Sequence, residues 1–356
     1  MRDHSVTIAK GIAIILMVMG HARCPEVVNS YLGMMRMPLF FFMSGYCFKE
    51  KYLDDAEKYL KRRVTGIYWP YLKWSLFFLL IHNICFYTNI YSDEFGFRGK
   101  TSVLYSASDF LSHGLSIITK MSGHEQLLGG FWFLKSLFVG SIIFYVCRKL
   151  LRKTPFAGAI LLLIVTILLS YSGKKIPYFG IGSREFLAAF LIFVGHLYKQ
   201  YQLSWHLNPW IILTSIILVG VGTVYWPATM TSYSYWQVIP YATTSVMGTL
   251  VIFCLSYHLS LRKENNAVKS LIYVGGYTFN VLTWHFLSLK LVSLLLIALY
   301  GLPVKQLSEF PVIEEYARQG WWILYLCVGV GIPILGTYSY HRINDSIICK
   351  TKSCNS

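Results

Sequence analysis

Apolar stretches long enough to cross a lipid bilayer recur from one end of this chain to the other, and no long hydrophilic block separates them. A bilayer's hydrocarbon core is about 30 Å thick and takes about 20 apolar residues to cross as a helix. Only 13% of the 356 residues are charged, where a soluble chain carries about a quarter. The expected class is therefore all-α: a polytopic membrane protein of about ten transmembrane helices. The spans fall near residues 5–24, 33–49, 67–90, 131–147, 155–172, 184–198, 209–226, 240–258, 271–299 and 321–340. Those at 33–49 and 184–198 give the weakest signal, being short or interrupted by polar residues. A single membrane domain over 1–345 followed by a short tail, 346–356, accounts for the chain.

Loop charge orients this layout. With the N-terminus inside, 19 of the 32 Lys and Arg residues fall in inner segments, 10 in outer ones and three within spans. Inner loops are also the shorter ones, and the positive-inside rule then places both termini in the cytoplasm. The formal charge of +16 is distributed in short loops between spans, which argues against nucleic acid as a partner and for contact with membrane lipids. Eight cysteines stand singly with no CxxC pair, so neither a disulfide framework nor a metal site is expected. The start, with Arg2, Lys10, an apolar run and Gly20-His21-Ala22, has the outline of a signal peptide. A second apolar segment follows at once, and the first is read as a retained helix. One outer loop, near 91–130, carries Tyr91, Phe95, Phe97, Tyr105, Phe110, His113, His124 and Glu125. A loop of that length either caps a site or is a tolerated insertion.

The chemistry is concentrated in the first helix. Lys10 and His21 are eleven residues apart; at 100° per residue they share one face, about 16 Å apart along the axis. Ionisable residues inside a span mark a function or a pathway by default, although Lys10 snorkelling inward and His21 resting at the interface is the plainer reading. The next span reads MRMPLFFFMSGYCF. If it returns antiparallel, Arg36 comes back to the depth of His21. A fixed cation beside an imidazole disfavours a second positive charge and leaves the ring able to accept a proton. Ser44-Gly45 allows backbones to approach closely.

Together, AKGIAIILMVMGHA and MRMPLFFFMSGY resemble the start of the acyltransferase-3 family of membrane acyltransferases, which includes fucose 4-O-acetylase-like and surface-polysaccharide O-acetylating enzymes. The basic residue followed after ten positions by His is matched by Lys10 and His21. The PLFFxxSGY pattern is matched by Pro38-Leu39-Phe40-Phe41 and Ser44-Gly45-Tyr46. KRRVTGIYWPYL, FWFLKSLFVG and GGYTFNVLTWHF follow in family order. Two departures stand out. Thr7 replaces the Asp that many members have three positions before the basic residue, and Gly66 replaces the second basic residue of an Arg-x-x-Arg or Arg-x-x-Lys loop.

The resemblance implies His21 as the catalytic residue, with Arg36 beside it supporting the ring or the oxyanion. It implies Lys10, Arg62 and Arg63 as donor-binding, and Trp132 and His285 as acceptor-binding, with no metal and no bound cofactor. Acetyl-CoA, or another acyl-CoA, is then the donor substrate, and a carbohydrate or lipid-linked glycan the acceptor. The expected activity is O-acyl transfer, acetyl first among the acyl groups, at the bacterial cytoplasmic (inner) membrane. Two other readings stay open: a transporter or flippase for a sugar or lipid-linked oligosaccharide, and a sensor or scaffold built on the same helices.

Overall fold

The computed structural model describes residues 4–96, 103–176, 180–262 and 265–353. Arg2, Phe97, Arg98, Lys100, Lys263 and Cys354 lie outside the described residues. Among the described residues the chain is helical, with no β-strand beyond two isolated bridges. The all-α class is thus as expected. Among the described residues, four helical segments are long and apolar enough to cross a membrane: Pro155–Ser172, Tyr235–Leu261, Thr278–Tyr300 and Glu314–Asn344. Ser5–His21 and Pro209–Tyr225 are equally apolar but shorter.

The helices that position the site are α1 (Ser5–His21), α2 (Glu26–Gly33), α3 (Pro38–Tyr46), α4 (Ala56–Arg63), α5 (Trp69–Leu80), α6 (His82–Tyr87), α7 (Ala107–Lys120), α8 (Trp132–Leu150), α9 (Pro155–Ser172) and α10 (Ser183–Gln200). They are followed by α11 (Pro209–Tyr225), α12 (Val238–Leu261), α13 (Asn266–Gly276), α14 (Thr278–Tyr300) and α15 (Trp322–Ser353). The expected second span, 33–49, differs most from what is found. Helix α3 starts only at Pro38, and Arg36 stands in the turn between α2 and α3. Proline is suited to a first helical turn because the amide it lacks would have no intrahelical partner there. The 67–90 segment breaks at Ile81 and the 271–299 segment at Tyr277, each giving two helices. Within the long 91–130 loop a capping box, Ser106 with Asp109, starts α7.

Packing relies on backbone contact at glycine. A side chain at Gly45 would overlap the Ile192 carbonyl, and one at Gly195 would overlap that of Phe42, so α3 and α10 cross reciprocally with nothing between them. Gly11 and Gly275 do the same for α1 and α13, against Leu271 and Thr7. Small residues at helix crossings are how spans associate where lipid offers no hydrophobic drive. On the outside, α9 and α11 display large apolar side chains, among them Phe156, Ile160, Leu168, Trp210, Ile217 and Val224. Such a surface suits lipid contact.

The loops collect at two ends. At one, Arg148 bonds Glu50 at 3.1 Å and Arg152 bonds Asp54 at 2.8 Å, tying the α3–α4 loop to the end of α8. His196 of α10 also reaches Glu50, at 2.9 Å. At the other, Arg23 meets Glu314, Lys305 meets Glu94 at 2.5 Å, and His82 meets Glu125 at 3.0 Å. The first is called the basic end below and the second the far end.

Candidate active site

Helix α1 runs from the basic end toward the far end and finishes on His21. Lys10, Ile14 and Met17 follow one another at helical spacing along one face and line a mostly apolar cavity of about 300 Å³. The same face continues, one turn on, to His21. The opposite wall is Met37, Phe40, Met43 and Ser44 of the α2–α3 segment, with Phe133 and Leu134 of α8 and Leu282 of α14. Met17, Met37 and Leu282 end the cavity one turn short of His21, one residue from Arg36 and three from His285.

At its basic end this cavity shares Ser44 and Cys47 with a second one of about 240 Å³, lined by Lys49, Tyr52, Tyr59, Arg62 and Arg63. Helix α4 runs on through a π-helical turn, Val64–Tyr68, into α5. That wider turn puts Gly66 and Ile67 into the cavity wall. Arg62 donates to the Tyr52 hydroxyl, and the Arg63 guanidinium lies 5.0 Å from the centre of the Tyr59 ring. Glu50 and Asp54, two acids of the α3–α4 loop, are engaged by Arg148, His196 and Arg152. Lys10, Arg62 and Arg63 have no carboxylate partner among the described residues. Three cations without counter-ions at the mouth of a cavity suit a polyanionic ligand.

Around His21 the side chains converge as expected. Its ring centre is 5.4 Å from that of His285 and 4.8 Å from that of Phe286. Arg36 lies against Gly20, the residue before His21: a Cβ there would run into the guanidinium. The Nη1 of Arg36 donates to Asn29 Oδ1 at 2.8 Å, which fixes the fork in that place. His285, fully buried in α14, has Nδ1 at 3.0 Å from the carbonyl oxygens of both Val281 and Leu282. Carbonyls only accept, so Nδ1 carries the hydrogen and Nε2 the lone pair. That Nε2 is buried without a partner among the described residues. A buried acceptor with nothing to accept is costly to maintain, and it sits beside His21.

Trp132 lies on the other side of a glycine turn. Gly130 abuts His285, since a Cβ at 130 would lie 3.9 Å from the His285 Cε1 atom, and Gly129 abuts Phe286 and Phe310. Gly129, Phe131 and Trp132 also wall a polar cavity of about 330 Å³ at the far end. Its other lining includes Tyr71, Ser75, His124, Glu125, Lys135, Lys175 and Arg184. The face of Trp132 is covered by the Arg184 guanidinium, 5.2 Å from the ring centre. Of the sequence-expected residues, His21, Arg36 and His285 come together; Lys10, Arg62 and Arg63 gather at the basic mouth; Trp132 stands alone in the far cavity.

Sequence reasoning overlooked the far cavity's buried pair. His82 Nδ1 meets both carboxylate oxygens of Glu125, at 3.2 and 3.0 Å, and its ring stacks on Tyr105 at 3.4 Å. Burial first, then the Glu125 charge, hold the phenols of Tyr91 and Tyr105 above their usual range, so both stay neutral. The available signal was a histidine inside an apolar run, the same signal that drew attention to His285. Lys135, three residues after Trp132 and hence on the same helical face, was equally visible.

A protein-family model described as an acyltransferase domain, that of the acyltransferase-3 family, matches residues 3–340. No curated protein and no solved structure matches the chain.

Proposed function

The chain belongs to the acyltransferase-3 family of membrane acyltransferases, and from that premise we propose that it moves an acyl group, acetyl first, from acyl-CoA to a carbohydrate hydroxyl. The acceptor in this reading is a cell-surface glycan or a lipid-linked sugar. One observation carries it: a basic mouth opens into an apolar cavity that runs along α1 to within one turn of His21, with a separate polar cavity at the far end. Arg62, Arg63 and Lys10 would meet the phosphates of the donor, for which a planar arginine fork is well suited. The uncharged pantetheine arm would occupy the apolar cavity and bring the thioester to His21.

At that point the acceptor hydroxyl attacks the thioester carbonyl while an imidazole takes its proton. The new C–O bond forms, the C–S bond breaks, and the departing thiolate receives a proton from the imidazolium. Free CoA and an ester are the products, and charge balances. His21 is assigned the base. The lone pair on His285 Nε2 is assigned the task of receiving the acceptor hydroxyl and aiming it. Arg36, held against Gly20, supplies positive charge where the oxyanion develops.

The remaining helices, with the four long apolar ones, are assigned to a ten-span bundle in the bacterial cytoplasmic membrane. The basic end and both termini then face the cytoplasm, where acyl-CoA is made. Purified protein given labelled acetyl-CoA and surface glycan tests the reading. Label should enter the glycan with release of free CoA, and His21→Ala should abolish both. Wild-type acetylation by His21→Ala would sink the mechanism, and a transporter would release no CoA at all.

A further inference from the structure

The far cavity carries more than a place for a sugar. Three of its lining residues are cationic, Lys135 and Arg184 from the first turns of α8 and α10 and Lys175 from the connection before α10. Against them stands one lining acid, Glu125, whose two oxygens are both turned onto His82. A second acid nearby, Glu185, accepts from the Gly182 amide at 2.8 Å, from Ser136 Oγ at 3.0 Å and from Arg184 Nε at 3.2 Å. That last bond and the Trp132 ring hold Arg184 by its Nε edge and its face. Its two terminal amino groups have no partner among the described residues. Lys135 donates to the Gly180 carbonyl at 3.4 Å, which draws the connection before α10 toward it. Lys175 is exposed and forms no ion pair among the described residues. The hydroxyls of Tyr71 and Ser75 face Gly123 on the same wall.

From this we infer that the far cavity selects an acceptor bearing an acidic group, a carboxylate or a phosphate, next to the hydroxyl that is acylated. The inference rests on the proposed function for its reaction, but not for its recognition. An arginine fixed by a ring and a carboxylate presents a preorganised fork, and a planar anion can be bound through two parallel hydrogen bonds. Trp132 then acts mainly as a platform for Arg184, because the guanidinium occupies its face. A neutral sugar would offer no anion to Lys175 or to the terminal amino groups of Arg184, whose Nε alone is engaged by Glu185. The hydroxyls of Tyr71 and Ser75 are left to recognise the sugar's own hydroxyls.

The test is binding, which needs no turnover. Full-length protein is titrated calorimetrically with D-glucuronate, glucose 1-phosphate and D-glucose, each with saturating CoA to occupy the basic mouth. At least one anionic sugar should bind on the order of tenfold tighter than glucose, the size expected of a charge-assisted hydrogen bond. Which of the two does so tells carboxylate from phosphate. Arg184→Gln should remove most of that preference and Arg184→Lys only part of it. Lys175→Gln, at an exposed position where folding is not at stake, should also reduce it. Equal binding of all three sugars, or a preference untouched by both Arg184→Gln and Lys175→Gln, overturns the inference, as does no binding of either anionic sugar at tens of millimolar. Failure of the reaction itself reads differently: the anion preference would persist while no acetyl group is transferred.

Discussion

Replacing Gly20 with alanine tests the catalytic cluster without replacing any of its side chains. The added Cβ would fall on the Arg36 guanidinium and come within 2.8 Å of Asn29 Oδ1. Helix α1 cannot retreat, because Gly11 holds it in backbone contact with α13, so the arginine must swing away. That motion breaks the bond from Nη1 to Asn29, a charge-assisted interaction of about 1.5–3 kcal/mol. Alanine returns part of it, since it is favoured over glycine within a helix by up to about 1 kcal/mol. The net cost to stability is therefore about 0.5–2 kcal/mol. Turnover is another matter: losing one preorganised donor to an oxyanion costs about 10²–10³ in kcat. CoA thiol release at matched concentration of folded protein should fall about a hundredfold in Gly20→Ala, with a melting temperature lower by only a few degrees. Arg36→Ala should fall by a similar factor, and the double variant no further than the worse single one, because both remove the same group. Wild-type turnover in Gly20→Ala, or full additivity in the double variant, would refute the placement of Arg36.

Four other substitutions separate the parts of the proposed path. His285→Ala should lower kcat by about 10²–10⁴ while leaving the KM for acetyl-CoA in place, as measured by steady-state CoA release. Arg62→Ala and Arg63→Ala should each raise the donor KM about tenfold or more with kcat little changed. Their difference from wild type should shrink as salt is added, because exposed charges are screened; a salt-independent gap would speak against phosphate contact. Gly66→Arg should lower the donor KM, since a Cβ at Gly66 meets nothing within 4 Å and the position lines the donor cavity. An unchanged or raised KM would mean that this wall does not face the donor phosphates.

Much of this was legible because membrane helices announce themselves by composition. The segment 155–172 coincides with α9, and 209–226 ends one residue beyond α11. The phase between Lys10 and His21 was also readable, since an uninterrupted helix leaves no freedom in how eleven residues turn. What periodicity could not show was where the chain departs from a helix inside an apolar run. Arg36 was expected on a long second span and stands instead in the turn before Pro38. Apolarity alone cannot distinguish a helix from a buried turn whose carbonyls and amides are satisfied locally. The pairing of His82 with Glu125 spans 43 residues and depends on how α5, α6 and the α7 segment fold back. The far cavity is hidden from sequence for the same reason: Lys135, Lys175 and Arg184 come together only because α8 and α10 pack side by side.

The placement of charge suggests why the reacting groups would sit where they do. A donor phosphate cannot follow the apolar cavity inward, because Ile14, Met17, Phe40 and Phe133 offer it no partners and an unpaired charge in such surroundings is expensive. It would therefore be retained at the mouth with Arg62 and Arg63, and only the uncharged arm would reach His21. An acidic acceptor would be held back in the same way on the far side, by Lys175 and Arg184. Each substrate would be anchored by its charge at its own end, and the two would meet through their neutral parts. Beside their meeting point lies the turn at Gly129 and Gly130, with Gly130 packed against His285 and Gly129 both against Phe286 and in the wall of the far cavity. A side chain at Gly130 would press on Leu282 at 3.0 Å as well as on His285. Glycine there keeps the turn as narrow as a backbone allows, so that the acceptor hydroxyl has only to pass its edge to contact the thioester carbonyl it attacks.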